Sequence, residues 1–182
     1  SGGYHTYGLK EWEDLEGALK TAIDRGASGI ILLGHSMGGG IVWNFLMQSR
    51  FAHIVIGCIL ESPVLDLNQI VETAAKTKYL PNWCVAITKR VVGRIVGVNW
   101  DDFRYIDSAH KLKVPTLLIH SASDQTVPVH VSDEFARQRS DLVRYLRIKE
   151  APHAAAWNCQ SSLVESELEF FIQSLVSDGR EC

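Results

Sequence analysis

The strongest indication of a chemical role in this chain is a serine flanked by glycines. Residues 34–38 read G-x-S-x-G around Ser36. An apolar, strand-like run precedes them at Ile30–Leu33, and an apolar, helix-like run follows at Ile41–Leu46. A serine on so sharp a strand-to-helix turn projects its hydroxyl outward, where it can act as a nucleophile. The alternative is an ordinary glycine-rich turn.

The residues beside the serine are predicted to support such a role. Gly34 and Gly38 are expected to be required because a Cβ at either position would collide with the neighbouring strand or helix. The backbone N–H of Met37 would lie at the N-terminus of the following helix, where it can help to stabilise an oxyanion.

Two later loops carry the partners that a nucleophilic serine needs. A serine hydroxyl requires a base, and the base requires an acid that orients it. Asp124 is the only carboxylate between a strand-like run and Pro128, and His153 lies between another strand-like run and the last helix. Loops at the carboxyl ends of parallel strands meet at one edge of a sheet. We therefore expect Ser36, His153 and Asp124 to form a nucleophile–base–acid set.

Each of these assignments has an alternative. Asp124 is also placed to cap the helix that follows it, and a histidine after a strand is often structural. Asp66, just after the second strand, is a rival acid. His120 is expected to support the turn that holds Asp124.

Strand-like and helix-like runs alternate along the chain. The predicted strands cover residues 30–33, 54–60, 114–120 and 143–149, and the predicted helices cover 8–25, 37–50, 128–139 and 161–176. Alternation of this kind predicts an α/β fold, a doubly wound and mostly parallel sheet with helices on both faces. Residues 1–182 are expected to form one domain.

Residues 66–110 interrupt this alternation. They contain two or three helical pieces, split at Pro81 and near 97–99, and they follow the end of a strand, where insertions form lids over active sites. We predict a small helical lid. Its apolar residues would either line an acyl or alcohol pocket or pack onto the body of the domain; they are Ile70, Val71, Tyr79, Leu80, Trp83, Val85 and Ile87.

The composition and charge of the chain argue against several classes of partner and site. A net charge of -3, without a basic stripe or an acidic tail, argues against a nucleic-acid partner. Lys89, Arg90 and Arg94 are interleaved with apolar residues, which is typical of a solvated helix face. No run of 18 apolar residues suggests a membrane span. The four cysteines lie far apart, so neither a metal site nor a disulfide is predicted, and Cys58 is expected to be a buried small hydrophobe.

These motifs together resemble those of the α/β-hydrolases, in the broad group of esterases and serine-aminopeptidase-like hydrolases. Residues 34–39 (GHSMGG) match the group's serine turn, and 120–128 (HSASDQTVP) match its acid loop, which typically ends D-x-x-V-P. Residues 152–158 resemble its histidine loop, although a glycine is more usual just before the histidine. The order Ser…Asp…His is also that of the group.

The resemblance implies a carboxylesterase-like serine hydrolase. It would cleave a carboxylic ester, a thioester or a small amide of a small-molecule acyl substrate through an acyl-enzyme, and it would need no cofactor and no metal. Two alternatives use the same fold: a non-catalytic binding module, and an acyltransferase in which an alcohol replaces water.

The resemblance covers only the C-terminal two-thirds of such a domain. In the family the serine follows the fifth of eight strands, and residues 2–4 with Gly8 resemble the loop after the fourth. Ile30–Leu33 is therefore expected to be an apolar edge strand. The loop that usually supplies the second oxyanion donor in the family has no counterpart in this sequence, so the source of that donor stays open. A missing N-terminal segment, a second chain or a dimeric variant would complete the sheet. A cytoplasmic location is the default expectation.

Overall fold

A parallel four-stranded sheet forms the centre of the computed structural model, which describes residues 5–177. Its strands are β1 (Ile30–His35), β2 (Val55–Glu61), β3 (Thr116–Ser121) and β4 (Val143–Ile148), and they lie in the order β1-β2-β3-β4. Every neighbouring pair is parallel, so all four strands end at the same edge. The predicted α/β fold with a parallel sheet is confirmed.

Helices cover both faces of the sheet. Three of them, α1 (Trp12–Asp24), α2 (Met37–Gln48) and α5 (Val129–Gln138), contribute to the larger apolar core on one face. The last helix, α7 (Ser161–Ser177), buries Val164, Phe171 and Leu175 against the other face. The doubly wound arrangement follows because the central strands β2 and β3 are buried on both sides and must be covered on both.

The first strand lies at an edge of the sheet. Within residues 5–177, β1 pairs only with β2, as the sequence predicted. Leu33 on β1 is 58% exposed, although its neighbour Leu32 is buried on the opposite face. The side of β1 that faces α7 is therefore covered less completely than the side that faces α1 and α2.

The segment after β2 is helical, as expected for residues 66–110. It contains α3 (Leu67–Thr77), α4 (Asn82–Val96) and two 3₁₀ segments at Trp100–Phe103 and Tyr105–Lys111. Pro81 precedes the first turn of α4, and Gly97 ends it in a left-handed conformation with φ of 73°. These residues separate the helical pieces because proline favours helix starts and glycine favours helix ends.

The remaining differences from the sequence predictions are local. Helix α1 begins at Trp12 rather than Gly8, since Thr6–Glu11 forms a loop closed by the Glu11 carboxylate. A short helix, α6 (Ala156–Cys159), was not predicted. Residues 2–4 and Cys182, considered in the sequence predictions, lie outside the described residues. In residues 5–177 no helix is both long and apolar enough to cross a bilayer.

Candidate active site

Ser36 lies between β1 and α2 in a strained backbone conformation. Its φ of 51° and ψ of −115° lie in a region that residues with a side chain rarely adopt. The turn is held from both sides, because the Ser36 N–H donates to the carbonyl of Glu61 at 2.9 Å and the Ser36 carbonyl accepts from the Val64 N–H at 2.9 Å. The predicted strand-to-helix turn is therefore present, and the end of β2 holds it.

The glycines around Ser36 differ in what they permit. A Cβ at Gly34 would lie 2.8 Å from the Gly38 carbonyl oxygen, so the expected crowding there is confirmed. The same expectation for Gly38 is wrong, since a Cβ at that position meets nothing within 4 Å. The crowded position is Gly39, where a Cβ would lie 2.3 Å from the Cβ of Pro63. The tight approach is thus between α2 and the loop after β2.

His153 lies between Ser36 and Asp124. Its Nε2 is 2.8 Å from the Ser36 Oγ, and its Nδ1 is 2.8 Å from the Asp124 Oδ2. With Nδ1 protonated, the ring donates to the carboxylate and leaves Nε2 to accept the serine proton. The three residues come from loops after β1, β3 and β4, whose ends meet at one edge of the sheet.

Asp124 serves two structural purposes at once. Its Oδ1 accepts the backbone N–H groups of Thr126 and Val127 at 2.8 and 3.0 Å, which orders the turn before α5. Its Oδ2 faces His153. Burial by itself would raise the pKa of Asp124, but hydrogen bonds from His120, His153 and these two amides hold it below its usual value. The alternative that Asp124 caps the following helix is wrong, since Pro128 is the N-cap of α5 and Asp124 Oδ1 instead closes the turn before it.

His120 supports this carboxylate from inside the core. The ring is fully buried, with Nε2 3.2 Å from Asp124 Oδ2 and 3.2 Å from the Val127 carbonyl oxygen. Its Nδ1 lies 2.7 Å from the Ser132 hydroxyl. Because Nε2 faces two acceptors, the neutral tautomer that fits has Nε2 protonated and Nδ1 accepting from Ser132.

Asp66, the rival acid, lies elsewhere. It is the N-cap of α3, where its Oδ1 accepts the N–H groups of Asn68 and Gln69 at 2.9 and 3.3 Å. Its nearest cation is Arg104, 4.0 Å away. Burial raises the pKa of Asp66. The structure brings Asp124, and not Asp66, to His153.

Two residues at the end of β2 hold the histidine loop, and neither was predicted to do so. The buried Glu61 accepts the Ala156 N–H through Oε1 at 2.8 Å, while its Oε2 lies 2.8 Å from Nδ1 of His35. Next to it, the Ser62 hydroxyl accepts the Ala154 N–H at 3.4 Å. A carboxylate ending an apolar strand was the available signal, because buried carboxylates need partners.

An apolar cavity of about 460 Å³ opens beside Ser36. Four of the apolar residues predicted for the pocket line it, together with three further apolar residues of the insertion; they are Ile70, Val71, Leu80, Val85, Leu67, Ala74 and Ala75. Tyr79, Trp83 and Ile87 instead project to solvent, with 93%, 65% and 54% of their surface exposed. These three side chains therefore have neither of the two roles predicted for the insertion's apolar residues, which were lining a pocket and packing onto the body of the domain.

Met37 begins α2, so its backbone N–H is among those without an acceptor inside the helix. A nucleophile with a hydrogen-bonded base, an oriented acid and an amide at a helix start can carry out acyl transfer. In residues 5–177, no cluster of histidine, cysteine, aspartate or glutamate side chains could hold a metal ion.

Comparison with known proteins is consistent with this architecture. The family model described as "Serine aminopeptidase, S33" (Hydrolase_4) matches residues 10–99. Curated proteins provide no match to the sequence.

Solved structures with the same fold include hydrolases of several kinds. An esterase from Pyrococcus furiosus matches with a TM-score of 0.71 and 22% identity, over 96% of this chain and 65% of the esterase. A monoacylglycerol lipase from Paleococcus ferrophilus matches with a TM-score of 0.64 and 17% identity, over 91% of this chain and 77% of the lipase. A puromycin-hydrolyzing peptidase from Mycobacterium tuberculosis matches with a TM-score of 0.66 and 22% identity, over 93% of this chain and 26% of the peptidase.

The chain thus spans 65% of the length of the esterase. The parallel sheet, the strained serine turn after β1 and the family match agree with one another. The chain has the fold of these hydrolases, and its residues 10–99 match the serine aminopeptidase family model.

Proposed function

We propose that this chain carries the catalytic triad of a serine hydrolase that cleaves a carboxylic ester, a thioester or a small amide. The observation that supports it best is the unbroken chain of hydrogen bonds from Ser36 through His153 to Asp124, with both distances at 2.8 Å. The strained conformation of Ser36 adds support, because backbone strain of this kind is concentrated at functional sites.

Each residue has a defined role in the proposed reaction. Ser36 Oγ attacks the carbonyl carbon while His153 Nε2 takes its proton, and the tetrahedral intermediate collapses to an acyl-enzyme as His153 returns the proton to the leaving group. Asp124 holds the histidine tautomer and stabilises the imidazolium. Water, activated by the same histidine, then releases the acid.

The Met37 N–H is proposed to supply one oxyanion contact. Its position at the start of α2 favours this role, because the helix N-terminus adds a positive field to the hydrogen bond. Removing a single oxyanion donor typically costs about 10²–10³ in turnover. A second donor therefore has a large effect on the rate, and Met37 alone would support slow turnover.

The substrate is proposed to place an apolar acyl or alcohol group in the cavity beside Ser36. Ile70, Val71, Leu80 and Val85 line it, and residues 66–110 act as its lid. The named relatives include an esterase, a lipase and a peptidase, which is why the proposal spans esters, thioesters and small amides.

Labelling with a fluorophosphonate tests the proposal directly. We expect one adduct by intact mass on the folded protein, no adduct on Ser36→Ala, and an undiminished adduct on Ser162→Ala, a serine exposed on α7. Absence of an adduct on wild-type protein with a cooperative unfolding transition would contradict the proposal and favour a binding module. Transfer of the acyl group to an added alcohol in preference to water would favour an acyltransferase.

A further inference from the structure

The charge of this chain is unevenly distributed. Residues 67–99 contain five basic residues and one acidic residue, whereas the rest of the chain contains 13 basic and 20 acidic residues. The acidic residue is Glu72, which pairs with Lys89 at 3.1 Å. The pair of helices α3 and α4, together with the connection between them, is therefore a cationic region of an acidic protein.

The same region exposes large apolar side chains. Along α4, Trp83, Ile87, Val91 and Ile95 follow one another at intervals of four residues, which places them on one face. They are 65%, 54%, 46% and 61% exposed. We call this set the α4 stripe. Contiguous exposed apolar surface on a small protein marks an interaction site.

The connection before α4 extends the stripe. Tyr79 is 93% exposed and Leu80 is 49% exposed, directly before the first turn that carries Trp83. Tyrosine and tryptophan have an apolar ring and a polar atom, and such side chains favour the boundary between water and hydrocarbon. The tip of the insertion thus presents two exposed aromatic rings.

Cations accompany these apolar side chains. Arg90 and Arg94 lie on α4 within the span of the α4 stripe, and in residues 5–177 neither has a carboxylate within salt-bridge distance. Lys76 and Lys78 precede the exposed Tyr79 and are likewise without a salt bridge in that part of the chain. Helix α4 itself contains no acidic residue.

We propose that the α4 stripe and the 79–80 connection bind an anionic lipid surface, with α4 lying in the plane of the headgroups. A helix with tryptophan and branched aliphatic residues on its exposed face, accompanied by arginine and lysine, has the composition of an interfacial helix. Anionic headgroups attract juxtamembrane cations, and the apolar side chains enter the acyl boundary. The 15 residues of α4 rise roughly 22 Å, which is shorter than the roughly 30 Å of a bilayer core, so the helix lies on the surface and does not cross it.

Charge favours this occupant over a protein partner. The centre of a protein–protein interface is depleted in charged residues, whereas here Arg90 and Arg94 lie on the same helix as the α4 stripe and form no salt bridge within residues 5–177. Lipid phosphates at the same depth as the arginine heads would satisfy them without a matching arrangement of carboxylates. The proposal does not depend on hydrolysis, because binding can be measured on Ser36→Ala.

Sedimentation with vesicles tests the proposal. Ser36→Ala protein is mixed with vesicles of phosphatidylcholine alone or with about a quarter phosphatidylglycerol. We expect binding to the anionic vesicles that is about tenfold or more tighter than binding to neutral ones, and that weakens at about 0.5 M salt. Equal binding to both vesicles, or binding to neither, would overturn the proposal.

Variants separate the two contributions. Ile87→Ser with Val91→Ser should abolish binding, and Arg90→Gln with Arg94→Gln should reduce it to the level of neutral vesicles. The matched controls are Lys20→Gln on α1 combined with Arg25→Gln directly after it, which make the same change in charge, and Ile172→Ser, an exposed apolar residue of α7. Controls that lose binding as fully as the α4 variants would rule out a specific surface.

Two further readouts exclude other occupants. Trp83 fluorescence should shift to shorter wavelength with anionic vesicles, and Trp83→Phe should remove that shift. If the chain instead dimerises, and Ile87→Ser converts the dimer to a monomer without vesicle binding in either form, a second copy covers the α4 stripe and the lipid proposal fails. If the wild-type protein binds vesicles but is not labelled by the fluorophosphonate, the proposed hydrolase is refuted and the proposed lipid-binding surface is not.

Discussion

Asp124 contacts two different parts of the structure at once. Its two oxygens face different groups, the turn amides on one side and the histidines on the other, so the environment that orders the loop also keeps the carboxylate ionised. A carboxylate with four hydrogen-bond donors stays charged even when buried.

We expect Asp124→Asn to reduce turnover, or the rate of fluorophosphonate labelling, by roughly 10⁴-fold, because the neutral amide no longer favours the required histidine tautomer. Asp66→Asn is the control, since Asp66 caps α3 and does not contact His153. Steady-state kinetics on both variants checks this. A near-normal rate for Asp124→Asn, with a large loss in Asp66→Asn, would give the acid role to Asp66.

Gly38 and Gly39 provide a second comparison at the same scale. We expect Gly39→Ala to lower the free energy of unfolding by about 1–3 kcal/mol, since its Cβ would overlap the rigid ring of Pro63. Gly38→Ala should be neutral or up to about 1 kcal/mol stabilising, because the position is open and alanine favours helix. Urea unfolding of the two variants measures both values, and equal losses would contradict the difference in packing.

At the scale of elements, the end of β2 connects the serine turn to the histidine loop. The Glu61 carbonyl accepts the Ser36 N–H, and its carboxylate accepts the Ala156 N–H three residues beyond His153. Ser62 and Ala154 both have positive φ, at 46° and 50°, and they meet through the Ser62 hydroxyl. The two loops are therefore held relative to each other by one dipeptide.

Replacing Glu61 tests this connection. Glu61→Ala should lower kcat by about 10- to 100-fold with a smaller change in KM, because small displacements of a catalytic group reduce the rate more than binding. Glu61→Gln should retain most activity, since its amide oxygen can still accept the Ala156 N–H.

The control for Glu61 is His35→Ala, which removes the other partner of the carboxylate and leaves the Ala156 contact in place. An equal loss of kcat in His35→Ala and Glu61→Ala would assign the effect to the contact between His35 and Glu61. If the fluorophosphonate labels the wild-type protein and Glu61→Ala is fully active, then Glu61 contributes only to folding.

At the scale of the whole molecule, the edge of the sheet at β1 is the feature with the largest expected effect on self-association. Strand β1 has one hydrogen-bonded neighbour in residues 5–177, and Leu33 is exposed in a groove with Trp157, Val164 and Leu168. A strand edge with apolar side chains and free backbone groups is a site of self-association.

Leu33→Lys should therefore reduce self-association of this chain several-fold at equal concentration, since a charge beside an open edge opposes strand pairing. Light scattering over a concentration series measures the change. Val176→Lys on α7 adds the same charge at an exposed apolar residue without a strand edge, and it should have little effect. If both variants act alike, net charge and not the β1 edge controls association.

The local elements and the candidate triad could be predicted from the sequence alone. Apolar runs predicted all four strands, and the motif around Ser36 with Asp124 and His153 predicted the candidate triad, because strand periodicity and turn chemistry are local properties. The crowding at Gly34 was also readable, since it depends on the shape of one turn.

Only the tertiary structure shows which distant segments contact each other. Glu61 at the histidine loop and Gly39 against Pro63 each join residues far apart in the chain, and spacing within one segment carries no information about such contacts. The α4 stripe is the clearest case. Its helical spacing predicts an apolar face, but whether that face meets the core or the solvent depends on how α3 and α4 are placed on the sheet.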